Sequence, residues 1–63
     1  MNILDDFLKE VKAFGVMKLS RKTGISCMTM YNWLHGRFLP SLEAIVKCLD
    51  AMGLELLIFD KEQ

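Results

Sequence analysis

A chain of 63 residues has room for one domain with one small core and none for a separate catalytic domain, since at this size only about 60% of the unfolded surface is buried on folding. An apolar content of 52%, with one Pro and four Gly, excludes an intrinsically disordered segment, because such segments lack the apolar groups needed to offset ordering entropy. The formal net charge of zero argues, taken alone, against a polyanionic partner.

The first predicted helix covers about residues 3–14. Asn2 can cap it, Asp5 and Asp6 fall in its first turn, and Lys9 and Lys12 lie towards its end, an order that suits the helix dipole. Ile3, Leu4, Phe7, Leu8, Val11 and Phe14 recur as one apolar stripe, and Gly15 ends the helix. It reads as scaffold.

A second, short helix over about residues 16–23 turns Val16, Leu19 and the alkyl stem of Lys22 inward, leaving Lys18 and Arg21 in solvent. Gly24 supplies a positive φ for a sharp turn, and Ile25 plugs it. Ser26 is a good N-cap for a third helix, over about residues 26–35, which Gly36 closes. Met30, Trp33 and Leu34 face the core, and Cys27, Met28, Thr29, Tyr31, Asn32 and His35 point elsewhere.

After a connector ending at Pro40, Ser41 caps a fourth helix over about residues 41–52, whose stripe is Leu42, Ile45, Val46, Leu49 and Met52. Gly53 stops it. The run over residues 54–59, LELLIF, is apolar on both faces and favours a short strand. The whole of residues 1–63 thus reads as a single domain.

The charge is unevenly spread. From Val11 to Leu42 there is no Asp or Glu, while Lys12, Lys18, Arg21, Lys22 and Arg37 all fall there. The acids, Asp5, Asp6, Glu10, Glu43, Asp50, Glu55, Asp60 and Glu62, sit in the flanks. A basic centre between acidic ends implies a negatively charged partner.

Cys27 and Cys48 show no metal-ligand spacing, and the single His35 has no partners for a metal, so neither a metal nor a cofactor is implied. Cys27 and His35, eight residues apart on one helix, would be about 12 Å apart. No nucleophile and base come within reach, and the chain is not expected to be an enzyme. No apolar run nears the roughly 18 residues of a membrane span, and the N-terminus carries acids where a secretory signal carries basic residues. The expected setting is the reducing cytoplasm.

Helix, Gly turn, helix is the outline of a DNA-binding helix-turn-helix. The residues themselves carry a resemblance: Leu19, Ser20, Thr23, Gly24, Ile25 and Ser26, then Met30, Tyr31, Trp33, Leu34, Gly36 and Arg37, then the runs over 40–43, PSLE, and 49–54, LDAMGL. Over about residues 15–55 the chain resembles the lambda-repressor and Cro-like helix-turn-helix family, and within it small phage regulators and antitoxins of the HigA type. The resemblance implies a mainly α fold: a four-helix lambda-repressor-like helix-turn-helix domain, with the short C-terminal strand used in dimerisation.

It also implies roles. Cys27, Met28, Tyr31 and Asn32 stand where the family reads bases. Ser26, Thr29, His35 and Arg37 stand where it holds phosphates. The family usually starts its second helix with a Gln that binds phosphate, and Val16 stands there instead, which leaves Lys18, Arg21 or the amides at the start of that helix to anchor the backbone. Cys27 and Met28 can press on thymine methyl groups, and Asn32 can pair with adenine N6 and N7, which implies an A·T-rich site. The plainer reading of Asn32 is a solvated helix residue.

A module of this size makes few base contacts, so specific binding needs two copies on half-sites about one helical turn apart. An apolar strand with an open edge is a liability that proteins cover or pair. Leu54, Leu56, Leu57, Ile58 and Phe59 are therefore the expected interface of an isologous homodimer. The expected function is a sequence-specific double-stranded DNA-binding regulator, a repressor acting as a dimer on a palindromic operator. A second reading keeps the shape but uses Cys27, Met28 and Tyr31 as an apolar patch for a protein partner, such as a toxin or another regulator; the zero net charge and the missing Gln favour it.

Overall fold

A computed structural model of the chain describes residues 3–55. Among these, the fold is mainly helical, with four helices in the order α1 (Ile3–Phe14), α2 (Val16–Thr23), α3 (Cys27–Leu34) and α4 (Leu42–Ala51). These bounds follow the predicted ones closely. Asn2 lies outside the described residues, as do four of the six residues of the predicted strand. Leu54 and Glu55 have no regular secondary structure.

The core is built from one or two positions per helix. Phe7 and Val11 of α1, Val16 and Leu19 of α2, Met30 and Trp33 of α3, and Cys48 of α4 are buried. Leu4, Leu8, Phe14, Ile25, Leu34, Ile45, Leu49 and Met52 pack around them, half-buried. The Phe7 and Trp33 rings meet at 6.0 Å between centroids, tilted by 50°, within the range where aromatic pairs attract. α2 is the hub, packing against α1, α3 and α4.

Four residues expected to face inward are exposed. Ile3, at one end of the predicted α1 stripe, is 61% exposed. On α2 the third inward residue is Thr23, not Lys22, which is exposed. On α4 the buried centre is Cys48, while Leu42 (65% exposed) and Val46 (45%) of the predicted stripe face out. The core face of α4 shifts to take in the small residues: Ala44, Cys48 and Ala51 join Ile45, Leu49 and Met52 of the predicted stripe against the core, where close packing leaves room for small side chains. Burial therefore follows fit here, and free Cys is among the residue types most often buried.

The N-termini of α3 and α4 are capped by the serines that the sequence predicts. Ser26 Oγ accepts from the Thr29 amide at 3.1 Å, and Ser41 Oγ accepts from the Ala44 amide at 3.1 Å. Each supplies one of the acceptors that the first turn of a helix lacks. At the other end of α2, Gly24 sits at φ 80° and its amide donates to the Ser20 carbonyl at 2.8 Å. A side chain at φ 80° would be strained, and Gly avoids that cost.

Candidate nucleic-acid interface

The turn joining α2 to α3 is held by one buried hydroxyl. Thr23 Oγ1 donates to the Leu19 carbonyl at 2.9 Å and accepts from the Ile25 amide at 3.1 Å. Both capacities of the hydroxyl are used, so a polar group only 8% exposed leaves nothing unpaired. With Leu19 below it and Ile25 packed on the core, the bonds fix where α3 leaves the turn. Sequence reading placed Thr23 in the resemblance but assigned it no role.

α3 then divides into two faces. Met30 and Trp33 point into the core. Met28, Tyr31, Asn32 and His35 follow the i, i+3, i+4, i+7 spacing that makes one stripe on a helix. Met28 is 66% and Tyr31 43% exposed, His35 is exposed, and Asn32 is half-exposed. These four predicted site residues are brought together. Cys27 is not fully among them: it is half-buried and packs against the core, which leaves it at the edge of the stripe.

Of the predicted phosphate contacts, Ser26 and Thr29 lie at the start of α3 and Arg37 just beyond its end. Ser26 and Thr29 pair through their hydroxyls at 2.9 Å while Ser26 also caps the helix, so both are held in place at the start of α3. At the far end the chain turns through Gly36, at φ 75°. The Arg37 amide donates to the Asn32 carbonyl at 2.9 Å. Arg37 Nη1 also donates to Asn32 Oδ1 at 3.3 Å. Asn32 is therefore tied to Arg37 twice, once through each backbone and side chain, and is not simply solvated. Its amide nitrogen keeps its two donors, and the guanidinium keeps most of its own.

On α2, Arg21 is exposed, and Lys18 Nζ lies 4.7 Å from the centroid of the Phe14 ring. That cation–π contact parks the ammonium at the α1–α2 corner. Val16, at the position where the family carries Gln, is a buried core residue, so its side chain is unable to reach a partner. The next residue, Met17, is 61% exposed and was given no role in the sequence.

Two depressions flank the bundle and sort the charge. One, of ≈ 190 Å³, lies between α1 and α4, with Ile3, Phe7, Ile45 and Leu49 in its walls and Asp6, Glu10 and Glu55 around it. The other, of ≈ 360 Å³, lies between α1 and α3 and is lined by Lys12, Tyr31, Leu34 and His35. Among the described residues no cluster of His, Cys, Asp and Glu could hold a metal ion, and no helix is long and apolar enough to cross a membrane. Comparison of the chain with protein-family models, curated proteins and solved structures found no match.

Proposed function

We propose that the chain is a sequence-specific double-stranded DNA-binding regulator of the lambda-repressor and Cro-like helix-turn-helix type, a repressor that acts as a dimer on a palindromic operator. One observation carries the reading. The stripe Met28, Tyr31, Asn32, His35 is exposed on a helix fixed from behind by Met30, Trp33 and the Thr23 hydroxyl, and from Val11 to Leu42 every charged residue is basic. A helix so presented suits a major groove, with cations at its borders to meet phosphates. Net charge is a poor guide in this chain, because Asp6, Glu10 and Glu55 gather at the α1–α4 cleft, away from the α3 stripe.

In this reading Met28 presses on a thymine methyl, the Asn32 amide meets an adenine or supports Arg37, and Arg21, Ser26, Thr29, His35 and Arg37 hold the backbone. Pairing of two copies falls to Leu54 and to Leu56, Leu57, Ile58 and Phe59. Occlusion of a promoter by the bound dimer then represses transcription in the cytoplasm.

A second reading, a helix-turn-helix-shaped module for a toxin or regulator partner, is favoured by the apolar character of Met17 and Met28, both more than 60% exposed. Salt separates the two. DNA binding through several phosphates falls by about 10³- to 10⁵-fold between 50 and 200 mM salt, whereas apolar protein binding barely changes. Arg21→Ala and Arg37→Ala are expected to flatten the DNA slope by about one each. A salt-independent interaction would favour the protein partner.

A further inference from the structure

We propose that Lys12, Tyr31 and His35 form an anion site that holds one phosphate of the DNA backbone on the α1 side of the α3 stripe. The inference rests on the DNA-binding reading and adds to it a residue of α1, a helix otherwise given over to scaffold. Lys12 lies in the last turn of α1 and shares the α1–α3 depression with Tyr31 and His35 of α3, over an apolar wall made by Leu34.

The donor set fits an anion. An ammonium offers three donors and no acceptor, a phenol one O–H, and an imidazole at least one N–H. None of the lining residues is acidic. The depression, of ≈ 360 Å³ and open to solvent on one side, has room for a phosphate group. Two of the three acids of α1, Asp6 and Glu10, line the cleft against α4 instead, and Glu10, two residues from Lys12, points to a different side of the helix.

Position makes the anion a backbone phosphate. Tyr31 and His35 belong to both the depression and the exposed stripe, so a duplex seated on that stripe brings its flanking strand to the mouth of the depression. Tyr31 then donates its hydroxyl to phosphate, not to a base edge. Arg37, bonded to Asn32, lies beyond the end of α3 on the connector to α4. The recognition helix is thus held between a cation of α1 and a cation of the α3–α4 connector.

The test compares Lys12→Gln with Lys47→Gln, a control on α4, in the full chain. Lys12→Gln is expected to weaken binding roughly fivefold for specific and random DNA alike and to lower the salt slope by about one. Lys12→Arg restores both, Lys47→Gln changes neither, and all variants melt with the wild type because Lys12 and Lys47 are exposed. An unchanged slope in Lys12→Gln overturns the site, as does a loss confined to one operator sequence. Titration with inorganic phosphate, followed by NMR, separates the site from the larger reading. Shifts centred on Lys12, Tyr31 and His35 that Lys12→Gln removes support the site even if no DNA is bound, in which case the operator reading alone fails. Absence of those shifts removes the site whatever the DNA result.

Discussion

Cys48 shows how one side chain couples packing to pH. It is fully buried at the α4 face that meets α2, and burial pushes its thiol above the ordinary value of 9.0, with the Lys47 charge acting the other way. Unfolding releases the thiol to ionise at its ordinary value. Stability from this group is therefore level below that value and is lost as pH rises above it. Chemical denaturation from about pH 8 to pH 10 is expected to show a smaller alkaline loss in Cys48→Ala than in the wild type; equal losses would remove Cys48 as the cause. At neutral pH a thiol reagent is expected to label the half-buried Cys27 in the folded chain and Cys48 only on unfolding. The spacing of Ile45, Cys48, Leu49 and Met52 also makes one stripe, but the more apolar Leu42 and Val46 drew the predicted stripe away from Cys48, which packing places in the core.

The turn between α2 and α3 is the element on which the interface depends. Its Gly and its cap were legible, because Gly24 and Ser26 have few other uses in such a pattern. The Thr23 lock was not, since a Thr at a helix end is common and only the fold shows its hydroxyl bonded on both sides. Thr23→Val keeps the shape, removes both bonds and leaves the Ile25 amide without its partner. A loss of about 1–3 kcal/mol is expected, which for a domain of this size lowers the melting temperature by several degrees. Thr23→Ser should retain most of the wild-type stability, because it keeps the hydroxyl. If Val and Ser behave alike in thermal melts, the bonds are not what holds the turn. The core face of α3, Met30 and Trp33, was legible from spacing, and most of its outward residues followed as the remainder, with Cys27 the exception; the place of Lys12 was not legible. Which side chain of α1 meets α3 depends on how the two helices cross, and no local pattern encodes that.

For the whole molecule, the order and type of the helices could be read from apolar periodicity, caps and glycines, and the segregation of charge from the bare list of acids and bases. How that charge is arranged around the bundle needed the clefts that α1 shares with α3 and with α4. In the proposed reading, assembly falls to the C-terminal run. Leu54 closes α4 by donating its amide to the Leu49 carbonyl at 2.8 Å and lies at the α1–α4 cleft, and Leu56, Leu57, Ile58 and Phe59 follow it. Leu57→Lys is expected to shift the chain from dimer to monomer in sedimentation and to lower operator affinity together, since each half-site contact is weak alone. A variant that stays dimeric and binds normally would place the interface elsewhere.

The central claim is that α3 reads DNA sequence. Selection of bound fragments from random double-stranded DNA, with the purified full chain at low salt, tests it most directly. The expected result is enrichment of a palindrome with A·T pairs in each half-site and half-site centres about 10 base pairs apart. Recovery of fragments with no shared sequence would contradict the claim and leave the exposed Met17 and Met28 to a protein partner.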